Sequence, residues 1–457
     1  MKALSKLRPA PQVAPGPNGP AMLRNLRQIL GDPTPFLQQC ARDYGDVVQF
    51  PNPGRPTFLL AGEDLVKQVL MDAPRYGKDT PQYQSLSLVT GEGLLSADTA
   101  LWKGQRKRVQ PAFHHRSIRN VIHITQAEAR VTAERWMQAG PPCFVDAGAA
   151  MSDVALRVVG RSLFGANLTG SSADLAAATE DALTAVVQAA RVPTGIRDWA
   201  PYPAKRSLAT ALTELDNAVD LMLAQAEAGK LDTEESTGFL PILMDNTEVQ
   251  GTELRDQIVT FLVAGHETVA SALTWALYHI SLDRNLQGRL QHEAQRYYGS
   301  GDIAELNLAG DTVAEALRMY PPAWLITRRS LVETELAGVT IPAGSLLILS
   351  PFVLGRDDRY WPEPERFDPD REIPRQPTGA YFPFGLGSRL CIGRDMALLE
   401  AKIVIAELVG RFWLGPPRTG HGRGTTVPIS AGVTMHPRDG LRLSIRRVMR
   451  SAAAEQK

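Results

Sequence analysis

From Leu65 to Ser300, apolar positions recur every three or four residues in one segment after another. That period predicts a succession of amphipathic helices. One is "TALTELDNAVDLMLAQAEAG", Thr210 to Gly229. Another is "ELRDQIVTFLVAGHETVASALTWALYHISLD", Glu253 to Asp283, well beyond the three to four turns of an average helix. On this long helix Phe261, Ala264, Gly265, Thr268 and Ala272 fall at i, i+3, i+4, i+7 and i+11, so they share one face, mostly of small residues. Elsewhere the pattern shortens. "GDVVQFPNPGRPTFLLAG" (Gly45 to Gly62) reads as two strands around a Pro/Gly turn. "ELAGVTIPAGSLLILSP" (Glu335 to Pro351) and "VTMHPRDGLRLSIRR" (Val433 to Arg447) are also strand-like. The proline-rich leader to Pro20 reads as an extended arm. No internal repeat or low-complexity linker interrupts the chain. The expectation is a single, mainly α-helical domain over 1–457 with small β-sheets.

Composition adds limits. Lys+Arg and Asp+Glu are both 49 among 457 residues, so no global charge draws the chain to nucleic acid. The three cysteines, Cys40, Cys143 and Cys391, fit no zinc pattern or disulfide framework. A sparse, odd count suits a reducing compartment. The N-terminus lacks an apolar run of signal-peptide length, and no window of 18 uninterrupted apolar residues follows. These features lead us to expect a soluble cytoplasmic protein with no membrane span. Cys40 and Cys143 read as ordinary residues.

"FPFGLGSRLCIG", Phe382 to Gly393, sets one thiol in a glycine-rich loop ahead of a helical pattern. Amides at a helix start are unpaired and partly positive, an environment that favours thiolate. A thiolate serves as nucleophile, redox centre or metal ligand; an inert cysteine beside a tight turn is the structural alternative. Gly385, Gly387 and Gly393 point to close approach by something bulky and flat. Haem iron with an axial cysteine is one such case.

Phe384, Gly387, Arg389, Cys391 and Gly393 spell F-x-x-G-x-R-x-C-x-G. This resembles the haem-ligand loop of the cytochrome P450 family at every signature position. The resemblance implies the cytochrome P450 fold, with haem b between a long distal helix and a proximal cysteine loop. It makes Cys391 the iron ligand, with Phe384 beside the sulfur and Arg389 on a haem propionate. Gly387 and Gly393 keep backbone close to sulfur and porphyrin. The small face of the long helix is similar to the family's oxygen-binding groove. Ala264 then borders the haem, Thr268 hydrogen-bonds dioxygen or its ordered water, and Glu267 helps to relay protons. His266 is given no role beyond packing or solvent contact. "WKGQR" places Trp102 and Arg106 on one side of a helix, which the family uses to grip a propionate. Arg328 of "ITRRSLVE", with Arg329 beside it, occupies a further propionate-binding position. Glu315 and Arg318 of "EALR", with Arg366 of "PERF", are similar to the family's buried ion triad.

The activity so implied is a monooxygenase. No flavin or iron–sulfur motif occurs, and the G-x-G of "GLGS" is not a dinucleotide site. Electrons would come from NAD(P)H through a reductase and a ferredoxin or flavodoxin. The basic run Lys103 to Arg119 reads either as a solvated helix face or as a docking patch for an acidic redox partner. A monomer is expected. Substrate-lining segments would be Gln82 to Leu95, Val186 to Ala204 and Pro321 to Ile326, largely apolar, which suits a fatty acid, terpenoid, steroid or polyketide. The alternatives are an isomerase, dehydratase or peroxygenase of the same fold, or a haem sensor. The former relatives commonly lose the acid–alcohol pair, which is intact here; a sensor needs an output module.

Overall fold

The longest helix, Thr252–Leu282, is the axis of the fold. Its 31 residues are buried on most sides, because helices Ala147–Phe164, Asn307–Met319 and Arg394–Val409 all pack against it. It is long and apolar enough to cross a bilayer, yet 78% of its most apolar window is buried within the protein. The computed structural model describes residues 14–52, 54–166, 172–190, 204–231, 237–246, 249, 251–417 and 427–448. Residues 1–13 of the expected arm and 191–203 of the expected substrate segment lie outside them. The arm also ends earlier than read from the prolines, since Asn18 caps a helix over Gly19–Arg24.

Two close contacts fix the distal helix against helix Ala147–Phe164. A Cβ on Gly265 would stand 2.7 Å from Val159 Cγ2, so glycine is required there for helix packing. One residue on, the buried His266 shares a 2.7 Å hydrogen bond between its Nε2 and Ser152 Oγ. His266 is therefore a packing residue, as expected.

Five strands form the largest sheet, in the order Val47–Phe50, Thr57–Leu60, Leu346–Leu349, Ile326–Ser330 and Tyr76–Gly77. Thr57–Leu60 pairs parallel with Leu346–Leu349; the other pairings are antiparallel. Thr57–Leu60 is buried at all four positions, as expected for an inner strand covered on both faces. Smaller sheets join Ile429–Ala431 to Met435–Pro437, and Cys143–Asp146 to Arg442–Arg447 to Phe412–Gly415.

The ion triad differs from expectation. Arg318 forks onto Glu315 at 2.7 and 2.8 Å, with both side chains fully buried. The third cation is Arg371, whose Nε reaches Glu315 Oε1 at 3.3 Å. Arg366 contributes its carbonyl to Arg318 at 3.3 Å, while its side chain is 63% exposed and pairs with Glu363. The tight turn after Pro364 presents backbone to the pair and sends the Arg366 side chain outward.

Candidate active site

The cysteine loop is folded by its own backbone. The Cys391 amide donates to the Phe384 carbonyl at 3.0 Å, and Leu390 donates to Gly387 at 3.1 Å. Gly387 has φ +72°, and a Cβ there would run into the Leu70 carbonyl. Gly387 is thus explained by a left-handed turn docked on helix Glu63–Met71, and it does not line the cavity. Gly393 does line it, and a Cβ there would meet only Phe113 Cε1, at 4.0 Å. Helix Arg394–Val409 begins at the next residue.

The Cys391 thiol opens onto an internal cavity of about 340 Å³ while lying deep below the protein surface. Burial pushes its pKa up; the Gly393 amide, Arg106 and Arg394 oppose that, and Asp395 adds to it. The direction is upward, so the helix start does not by itself yield the thiolate expected from sequence. Coordination to a metal deprotonates a thiol outright.

Four cations line one end of the cavity: Lys78, Arg106, Arg328 and Arg389. Arg106 donates to the Leu390 carbonyl at 3.1 Å, which ties helix Thr99–Val109 to the cysteine loop. Arg389 donates from Nη1 to Ala97 at 3.1 Å, and its guanidinium lies 4.3 Å from the centre of the Trp102 ring. Its Nη2 is buried without a partner. Burial, with the neighbouring Arg328, lowers Arg389 to about 10. Lys78 is held well below its ordinary value by burial, Arg328 and Arg389. Arg328 is buried, with Nη1 3.3 Å from the Tyr83 hydroxyl, whereas Arg329 turns outward onto Asp79.

Above the sulfur stands the distal helix. Phe261, Ala264, Gly265, Thr268 and Ala272 all line the cavity, as the shared face predicts. Thr268 Oγ1 donates to the Ala264 carbonyl at 2.7 Å, the usual back-bond of a helical threonine. Glu267 Oε2 accepts from Thr434 Oγ1 at 3.2 Å. Burial raises the Glu267 pKa; His436 and the Thr434 bond pull it down, and Glu180 pushes it up. Among the described residues, the expected substrate segments supply Gln82, Tyr83, Leu86, Leu94, Leu95, Pro322, Ala323, Leu325 and Ile326 to the wall.

The model of the family described as cytochrome P450 matches residues 14–439 of this chain. The chain belongs to the cytochrome P450 family. Cyclooctatin synthase of Streptomyces melanosporofaciens is 32% identical, over 91% of this chain and 94% of the relative. Pentalenene oxygenase of Streptomyces avermitilis is 28% identical, over 90% and 92%. A solved cytochrome P450 from Thermus thermophilus superposes with a TM-score of 0.76 at 30% identity, covering 94% of this chain and all of that one. The chain is accordingly a cytochrome P450 monooxygenase.

Membership implies a haem–thiolate cofactor, and the cavity of this P450 fits one. The sulfur faces the cavity, Gly393 leaves room above the helix start, and an orphaned buried guanidinium nitrogen belongs to a cluster of cations. The described acids of the lining, Glu267 and Glu400, make no ion pair with that cluster. Such a cluster suits a bound dianion such as two propionates. Sequence reasoning missed Lys78, Thr434 and His436. Lys78 lies in "RYGKDTP", where no period marks it as buried.

Proposed function

We propose that this P450 hydroxylates or epoxidises a terpenoid hydrocarbon. In this reading it uses haem b, receives electrons from NAD(P)H through a ferredoxin or flavodoxin, and works as a cytoplasmic monomer. The observation that carries the substrate class is the polar inventory of the distal wall. Gln82 is engaged with Leu325 and Thr327, Thr260 with Thr90, Thr268 with Ala264, and Glu267 with Thr434. The rest of that wall, including Leu86, Phe113, Leu163, Leu183, Leu325 and Val433, is apolar. A substrate there is held by shape and burial, with few polar anchors. Relatives named cyclooctatin synthase and pentalenene oxygenase support the same class. Pentalenene should displace solvent and shift the iron spin state more strongly than a fatty acid or a steroid of similar size. A stronger response to either competitor would overturn the substrate class.

Each residue's part follows from its place. Cys391 offers the sulfur, with the Gly393 amide donating to it. Trp102, Arg106, Arg328 and Arg389 would hold the propionates, and Phe384, whose carbonyl accepts from the Cys391 amide, would flank the sulfur. Ala264 leaves space at the distal face. Haem bound through a thiolate supplies the activation of dioxygen. Glu267 holds the proton that the reaction needs, since burial favours its neutral form. Thr268 keeps its own hydrogen on Ala264, which leaves its oxygen able to accept from a water in the cavity. The apolar wall keeps bulk water from competing. Thr268→Ala should lower product formed per NADPH and raise peroxide, with haem content unchanged. Unchanged coupling would remove Thr268 from the path.

Helix Thr99–Val109 connects this site to the surface. Trp102 and Arg106 line the cavity and also border an outer cleft, which they share with the exposed Lys103, Lys107 and His114. Arg108 pairs with Glu253 of the distal helix. The basic run therefore divides between the cavity, an ion pair and the surface. The exposed part suits an acidic electron donor. Reduction by a ferredoxin should slow as salt rises, and Lys103→Glu with Lys107→Glu should flatten that response. A flat response in the natural chain would disprove docking there.

A further inference from the structure

Glu267, Ser271 and Trp275 are spaced i, i+4 and i+8 along the distal helix, and all three bond one short segment of the C-terminal hairpin. Thr434 donates to Glu267, and the Met435 carbonyl accepts from Ser271 and, at 3.0 Å, from Trp275 Nε1. The hairpin is thus fixed to the helix at residue-level register. Thr434 closes the hairpin loop ahead of strand Met435–Pro437, and within that strand His436 lies between the buried Met435 and Pro437. His436 is half exposed, yet its Nδ1 is buried and has no partner. Helix Ser172–Ala190 packs on the hairpin turn, where a Cβ on Gly432 would touch Val187. It brings the exposed Glu180 to the same place. His436 and Glu180 are the titratable groups that act on Glu267.

We infer that His436 carries protons from solvent to Glu267, which makes the C-terminal hairpin the entrance of the proton path. The ring takes a proton from water on its exposed side and releases one from Nδ1 to the Glu267 carboxylate, across a water. One proton enters at Nε2 and one leaves from Nδ1, so the ring returns to neutral as the other tautomer and is reset by a ring flip. His436 acts through Glu267 and is a positioning residue. The inference rests on the role proposed for Glu267.

Infrared spectroscopy of the haem-loaded full chain tests it without catalysis. Loss of one protonated-carboxyl band in Glu267→Gln identifies Glu267. The shift of that band on transfer to heavy water then reports how fast solvent protons reach it. His436→Gln should slow the shift at least roughly tenfold, in proportion to the loss of an acid–base carrier. His436→Glu, of the same size but able to carry a proton, should restore it. A purely structural role would make the two variants alike. Equal exchange in His436→Gln and the natural chain overturns the inference, as does slow exchange in both variants. If the Gln variant fails to hold haem, the pair His436→Asn and His436→Asp is read the same way. Peroxide released per NADPH, with a surrogate ferredoxin pair and no substrate, separates the two readings. No change in Glu267→Gln defeats the role of Glu267. A change there with fast exchange in His436→Gln defeats only the role of His436.

Discussion

Replacing Cys391 by alanine should abolish the thiolate-type carbon monoxide spectrum and monooxygenase turnover, while the helical fold is retained. The loop's shape is set by backbone: Cys391 to Phe384, Leu390 to Gly387, and Arg106 to Leu390. None of these bonds uses the sulfur, so alanine leaves the frame standing. What goes is the thiol that opens onto the cavity. The propionate cations remain, so some haem should still bind, with altered axial ligation. Circular dichroism, haem content and the carbon monoxide difference spectrum separate these effects. A full thiolate-type spectrum in the alanine variant would show that the iron ligand lies elsewhere.

The second large effect is expected from Glu315→Ala. Glu315 accepts from Arg318 twice, from the Asp368 amide at 2.9 Å and from Arg371. Arg318 also donates to the Pro364 carbonyl at 2.8 Å and to Gly355. Truncating Glu315 leaves a fully buried guanidinium without its counter-charge, at a cost of about 3–5 kcal/mol. Chain segment 355–371 loses its anchor, and haem incorporation should fall with the denaturant midpoint. Arg366→Ala is the contrast. Its side chain is exposed and only its carbonyl serves the pair, so the change should stay within about 0.5 kcal/mol. Equal stability of Glu315→Ala and the natural chain would refute the anchoring role; a large loss in Arg366→Ala would restore the triad read from sequence.

The contrast between Arg366 and Arg371 shows what the sequence could carry. Glu315 and Arg318 lie three residues apart on a helix, so their pairing follows from helical geometry. The third partner is set by how segment 355–371 winds, which no local period records. The same division runs through the site. The face of Phe261, Ala264, Gly265, Thr268 and Ala272 was legible because one helix displays it. The strands of the hairpins were legible from Pro/Gly turns. Lys78 and Thr434 reach the cavity through long-range packing, and a lone lysine or threonine gives no sign of such a position. Gly387 was legible as unusual, but for a reason other than that observed, whereas Gly265 fits the plain reading of a small helix face as a packing surface. Gly265 meets Val159 of a neighbouring helix, and Gly387 meets the end of helix Glu63–Met71.

The loop at 382–393 leans on Leu70, Ala97 and Arg106, so its support is synthesised long before the loop itself. A nascent chain on the ribosome can finish much of its helical body, yet the pocket for its pigment closes only when the C-terminal part of the polypeptide emerges. Loading is therefore a late event in the life of the molecule, and a message truncated ahead of the loop should yield colourless protein.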